Sequence, residues 1–241
     1  MAEIKPYEDD AEKKEQIARM FDNIAGKYDF VNRLLSLGVD RIWRKKAIHL
    51  LQKDNPLKVL DVATGTARVA IELSAELPHA KIIGVDISNK MLDIGRKKIE
   101  EKNLSNSIEL LYGDSEDLQF KDNEFDAVTV AFGVRNFENL AKGLEEMHRV
   151  LKPGGKLVIL EFSKPIVFPL KQLFKIYFKY VLPTIGKVMS NDRRAYKYLY
   201  DSVQAFPDYD RFLSVLNDLG YKKSKYIIMT GGICCIYTAE K

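Results

Sequence analysis

The run Lys58-Val-Leu-Asp61-Val-Ala-Thr-Gly65-Thr66-Ala67 constrains this chain more than any other stretch. A short apolar segment ends in a carboxylate, a turn of small residues follows, and a helical pattern begins at Val69. That succession puts a polar loop at the carboxyl end of a buried strand, where open α/β sheets bind their ligands. Gly84-Val-Asp86 and Gly113-Asp114-Ser115 repeat the arrangement further along the chain. One strand-end aspartate is as readily a helix cap as a ligand group. Three in successive units favour a ligand.

The ligand class follows from the glycine count. A pyrophosphate needs several glycines so that the backbone can approach it. Here Gly65 stands alone, without the G-x-G-x-x-G spacing, which argues against NAD or FAD. The Gly-Lys-Ser/Thr pattern of nucleoside triphosphate hydrolases is absent too. A cationic, phosphate-free ligand suits Asp61. Asp86 is placed to accept hydrogen bonds from a ribose diol. Asp114 and Ser115 are placed to meet an adenine edge, so an adenosine-type cofactor is expected.

The remaining pattern predicts an α/β fold. Residues Ile17 to Leu51 read as helical. Strands are predicted over Lys58–Ala63, Lys81–Asp86, Ile108–Tyr112, Phe125–Ala131 and Lys156–Phe162. Between them fall helices over Val69–Leu77, from an N-cap at Ser88 to Lys102, and over Leu140–Leu151 with a stop at Pro153-Gly154-Gly155. Such alternation means βαβ units and a mainly parallel sheet. Residues Ser163 to Phe206, rich in aromatic and basic side chains, read as inserted helices. A helix over Tyr209–Leu219 and strands over Tyr221–Met229 and Ile233–Ala239 follow, the last two joined as an antiparallel hairpin by Thr230-Gly231-Gly232.

Composition excludes several classes. A length of 241 residues suits one large domain, and 46% apolar with 30% charged residues is ordinary for a soluble protein. The net charge of +4 is too mild to imply a nucleic-acid partner. No apolar run approaches the roughly 20 residues a membrane span needs, and the polar N-terminus is unlike a secretory signal. Adjacent Cys234 and Cys235 would point to opposite faces of a strand, with no disulfide or metal-ligand spacing around them. A cytoplasmic protein without a metal is expected.

The segments DVATGTA, GVDIS, GDSEDLQF and FDAVTVAF resemble the ordered motifs of class I S-adenosylmethionine-dependent methyltransferases. The resemblance implies a Rossmann-like sheet of seven strands, mainly parallel, with a terminal antiparallel hairpin, N-terminal helices and a helical insertion. One domain is implied: a helical cap over 1–55, a cofactor-binding core over 56–162, an insertion or lid over 163–206, and a final helix and hairpin over 207–241. It further implies that Asp61, Gly65, Thr66 and Ala67 line the methionine end of S-adenosyl-L-methionine. By the same resemblance Asp86 binds its ribose, Ile87 and Met91 flank the adenine, Asp114 and Ser115 meet the adenine edge, and Ala131 lines the same site.

More specific segments resemble the ubiquinone/menaquinone biosynthesis C-methyltransferases: RVLKPGGKLVILEFS, YDFVNRLLSLGVDRIW, FGVRN and YLYDSVQAFP. They imply methylation of the ring of a prenylated quinol, with demethylmenaquinol preferred. A methyltransferase for another lipid or small phenol, or a cofactor-binding protein without turnover, are the alternatives. Candidate catalytic residues are Tyr28, Asp29, Asp40, Arg135 and Asn136. Arg135 would stabilise a phenolate and Asp29 or Asp40 would take a proton, while His148 reads as structural. The chain departs from the resembled pattern in having Asp40 for His, Val31 for Met, and Ala67-Arg68 for Gly-Asp. The Arg68 side chain is expected to point to solvent, away from a sulfonium. Lys171, Lys175 and Lys179, interleaved with Phe168, Leu170, Phe174, Ile176, Tyr177 and Phe178, predict a basic amphipathic helix. Such a helix suits peripheral contact at the inner membrane face, or a lid over an apolar substrate.

Overall fold

Each apolar run between Lys58 and Phe162 forms a strand: β1 Lys58–Val62, β2 Lys81–Asp86, β3 Ile108–Tyr112, β4 Phe125–Ala131 and β5 Leu151–Phe162. The terminal hairpin is β6 Lys222–Met229 and β7 Cys234–Glu240. The computed structural model describes residues 4–36, 38–176 and 193–241. Among these, the strands make one sheet in the order β3-β2-β1-β4-β5-β7-β6. The first five pair in parallel, and β7 runs antiparallel to both β5 and β6. The order reverses between β1 and β4, so the loops after these strands diverge and leave a crevice.

The described helices are α1 Lys13–Leu35, α2 Asp40–Gln52, α3 Arg68–Glu76, α4 Asn89–Glu101, α5 Leu140–Val150, α6 Leu170–Ile176, α7 Arg193–Ala205 and α8 Asp210–Asp218. Ser88 caps α4 as predicted, its Oγ accepting the Met91 N–H at 3.2 Å. Strand residues alternate between two cores. Val59, Ala127, Val158 and Cys234 pack with Trp43 and Leu51 of α2 and Leu73 of α3. Leu60, Val128, Leu157 and Cys235 pack with Leu144 of α5 and Phe212 of α8. The adjacent cysteines therefore fall in opposite cores, and both are free thiols. His148 is structural in its contacts, meeting the Tyr221 ring edge-on at 4.8 Å.

Three local expectations need correction. The helical stretch from Ile17 to Leu51 is two helices, separated after Leu35 by a turn in which Gly38 has φ 76°. Glycine adopts that left-handed conformation at least cost. Pro153-Gly154-Gly155 is not a loop ending α5, because β5 starts at once with Leu151. Pairing jumps from Phe125↔Leu151 to Ala127↔Lys156, so these residues form a bulge inside the strand. The predicted continuation of the insertion helix through Tyr177, Phe178 and Lys179 lies outside the described residues. The hairpin connection is a short 3-10 turn, whose Thr230 Oγ1 accepts from Trp43 Nε1 at 2.8 Å.

Candidate active site

The loops after β1, β2 and β3 converge as the strand-end aspartates predict. Thr64 Oγ1 donates to Asp61 Oδ2 at 2.6 Å, but Asp61 Oδ1 is buried without a hydrogen-bond partner. Burial, reinforced by the charge of Asp86, pushes the Asp61 pKa up to about 7, and Thr64 offsets only part of this. A buried carboxylate oxygen with no donor beside a cavity calls for a cation. S-adenosyl-L-methionine, with an ammonium and a sulfonium, fits that requirement.

Asp86 combines both readings of its type. Its Oδ2 accepts the Gly65 N–H and its Oδ1 the Ser88 N–H, each at 2.8 Å. A carboxylate has about four acceptor sites, so these bonds leave capacity for a diol. Burial pushes its pKa up to about 6 against these bonds. Gly65 turns at φ 56°, which aims its amide at Asp86. A cavity of about 70 Å³ is lined by Asp86, Ile87, Met91, Asp114, Ser115 and Lys14. Ala131 faces this cavity and a larger neighbour. Ala67 does not line either: it is fully buried at φ 59° and serves as the turn into α3.

Helix α1 lies across all of these loops and bonds to each. Thr66 Oγ1 donates to Asp29 at 2.8 Å, and Ser88 Oγ donates to Asp22 at 2.6 Å. Lys14 Nζ reaches Asp114 at 3.5 Å, and Lys13 Nζ donates to the Phe137 carbonyl at 2.7 Å. Sequence reading missed these partners, because their spacing along α1 has meaning only against the folded loops.

The larger cavity, about 780 Å³, has a mainly apolar wall that includes Met20, Ile24, Trp43, Phe132, Phe162 and Leu173. Tyr28, Gly65, Ala131 and Asn136 line both cavities. Arg135 Nη1 donates to Glu161 Oε1 at 2.7 Å and to the Phe132 carbonyl at 2.6 Å, yet its buried Nε has no partner. Asn136 Oδ1 is likewise buried and unpartnered. Consecutive residues of the cavity wall thus carry one buried donor and one buried acceptor without partners. Tyr28 is intermediate in exposure as a residue but has an enclosed hydroxyl, bonded to Asn32. Burial pushes its pKa up, and the nearby Arg135 opposes the shift.

The carboxylates expected to act as bases are both held in ion pairs. Asp29 is bonded to Lys98 as well as to Thr66. Asp40 is bonded to Arg44, to Arg68 at 3.3 Å and to Ser36 Oγ at 2.8 Å. Burial works against ionisation of Asp40, but the Arg44 and Ser36 bonds prevail and hold its pKa below the ordinary value. A carboxylate so stabilised is a weak base. The expectation that Arg68 points to solvent is also overturned. Its side chain is 33% exposed, lines the larger cavity and reaches Asp40. The two departures from the resembled pattern, Asp40 and Arg68, are each other's partners. Glu161, fully buried at the end of β5, was missed altogether. Its signal was the lone charge in the run Leu157-Val-Ile-Leu-Glu-Phe162.

Comparison with known proteins gives the family and the fold. A model of the ubiE/COQ5 methyltransferase family matches residues 9–241. A demethylmenaquinone methyltransferase of Bacteroides fragilis is 50% identical over 238 residues, covering 99% of this chain and 97% of the relative. The ubiquinone/menaquinone biosynthesis C-methyltransferase UbiE of Geotalea daltonii is 45% identical over 231 residues, covering 95% and 98%. The solved structure of a SAM-dependent methyltransferase from Thermotoga maritima shares the fold at TM-score 0.66 and 18% identity, covering 93% of this chain and 99% of that one. The chain belongs to the ubiE/COQ5 methyltransferase family.

Proposed function

We propose that the protein transfers a methyl group from S-adenosyl-L-methionine to a ring carbon of a prenylated quinol, converting demethylmenaquinol to menaquinol. One observation carries this reading: a small cavity lined by Asp86, Asp114 and Ser115 adjoins a large, mainly apolar cavity that Asp61 also lines, and Tyr28, Gly65, Ala131 and Asn136 belong to both. A donor with an adenosine moiety suits the first and an apolar aromatic acceptor the second. Full-length similarity to demethylmenaquinone methyltransferases supports the acceptor.

When bound, S-adenosyl-L-methionine supplies an electrophilic methyl group on a sulfonium. Asp61 offers its unpartnered oxygen to the cationic end, and Asp86 its free lone pairs to the ribose. Ile87 and Met91 would hold the adenine, with Asp114 and Ser115 available to its edge. Arg135 donates to a ring oxygen and stabilises the phenolate left when that hydroxyl gives its proton to water, which raises electron density at the adjacent carbon. That carbon takes the methyl as the carbon–sulfur bond breaks, leaving a neutral thioether, and then gives its own hydrogen to water as a proton. Asn136 Oδ1 accepts from a ring hydroxyl and fixes the orientation. Asp40 and Asp29 act as ion-pair anchors of the cavity wall, Asp29 holding Thr66 beside the donor site.

The whole chain works as one domain in this reading, with α1 and α2 as the cap and α6 and α7 at the acceptor side. Incubation with labelled S-adenosylmethionine should place the label in chemically reduced demethylmenaquinone at least about tenfold faster than in the oxidised quinone, since a nucleophilic ring requires the phenolate. Equal rates would overturn the mechanism.

Delivery of a prenylated acceptor assigns the α6 region to a peripheral contact at the inner membrane face of the cytoplasm. No described helix is long and apolar enough to cross a membrane. Phe168 is 77% exposed, and Ile166, Val167, Leu173 and Ile176 are exposed around it, with Lys171 alongside. Leu173 and Ile176 also line the larger cavity. Anionic vesicles should co-sediment the protein and release Ile166→Asp/Phe168→Asp; equal retention of both would rule out this contact.

A further inference from the structure

We infer that Glu161 is the counter-charge that lets Arg135 share a cavity with a cationic donor, acting through Arg135 as a positioning residue. The inference rests on the sulfonium donor proposed above. Glu161 is fully buried, and one carboxylate holds three groups. Its Oε1 accepts from Arg135 Nη1 at 2.7 Å and from the Phe162 N–H at 2.8 Å, and its Oε2 accepts the Arg135 backbone N–H at 3.3 Å. Main chain and side chain of Arg135 are thereby clamped together. The Phe162 ring lies 5.5 Å from the guanidinium carbon, and the Phe132 carbonyl closes the last side.

What this clamp removes is net charge. A guanidinium cannot shed its proton at any physiological pH. With its side chain only 6% exposed, an uncompensated Arg135 would repel another cation far more strongly than in water. Asp61 lines the same cavity and needs a cation, so the cavity holds anionic and cationic positions at once. Glu161 makes Arg135 a directional donor rather than a competing charge. Its own burial pushes its pKa up, and the adjoining guanidinium, fixed in its charged form, opposes that shift.

The test compares S-adenosylmethionine with S-adenosylhomocysteine, which keeps the adenosine and the amino acid but lacks the sulfonium charge. Calorimetry of Glu161→Gln should show S-adenosylmethionine weakened about five- to tenfold more than S-adenosylhomocysteine. A purely structural role would weaken both alike, and that result overturns the inference. Glu161→Asp, which keeps the charge, should restore the wild-type ratio. Removing both charges in Glu161→Gln/Arg135→Met should restore it too, and this variant serves if the single one does not fold. A double variant that still discriminates against the sulfonium would likewise overturn the inference. No quinol enters these measurements, so their failure leaves the acceptor untouched. Failure of the unaltered protein to bind either compound would instead overturn the donor.

Discussion

Asp61→Asn is expected to weaken S-adenosylmethionine binding about 30- to 100-fold, the loss of a hydrogen-bonded charge contact in a buried site. The same change should leave the ligand-free protein at least as stable at about pH 8. The two effects have opposite signs because the carboxylate is held at a cost. A pKa raised to about 7 by burial means that the tendency of Asp61 to ionise opposes folding from the ordinary carboxylate range upward, and in full above about 7. The folded value lies above the unfolded one, so its contribution is complete below the ordinary carboxylate range and disappears as pH rises through about 7. Asp86, at about 6, behaves in the same direction. A bound cation repays the charged form. The rise in melting temperature caused by S-adenosylmethionine should therefore grow from about pH 5.5 to about pH 8, with proton release on binding. Thermal melts and calorimetry in buffers of different ionisation enthalpy read both. An Asn variant that loses stability without losing affinity would make Asp61 a structural cap.

Arg135→Lys is expected to lower kcat about 10²- to 10³-fold, the usual consequence of losing a placed donor to a developing oxyanion. Affinity for S-adenosylmethionine should change little, since the charge and its pairing with Glu161 are retained. A lysine has one ammonium and cannot serve Glu161, the Phe132 carbonyl and the cavity from separate fixed atoms. Arg135→Ala is a poorer test, because it strands the buried Glu161 carboxylate at a cost of about 3–5 kcal/mol. Single-turnover rates with reduced quinol separate the cases. An unchanged methyl-transfer rate in the Lys variant would move the phenolate contact elsewhere, with Tyr28 and Asn136 the remaining groups on the shared wall.

Much of this arrangement could be read from the chain because it is local. β2, β3 and β4 begin and end where their apolar runs do, and Ser88 caps α4 as its side chain dictates. The strand-end aspartates could be located because a parallel sheet places every such end on one side. What escaped depends on contacts between distant segments. The bulge at Pro153–Gly155 is decided by the pairing of β5 with β4, whereas the residues alone spell a helix stop. Arg68 seemed bound for solvent until α2 brought Asp40 beside it. Ala67 carries the motif's conformation and not its surface. The lone charge at Glu161 does not declare its purpose in sequence, because its partner, Arg135, lies 26 positions earlier.

The bonds from α1 to Thr66, Ser88, Asp114 and Phe137 bear on turnover. Each spent donor molecule must leave and be replaced, and the helix that roofs its berth also supplies Tyr28 to the acceptor wall. Exchange of one substrate thus disturbs the berth of the other. Loosening these fastenings by changes at Lys14 or Asp22, remote from the transferred methyl, is expected to alter steady-state turnover while leaving the single-turnover rate unchanged.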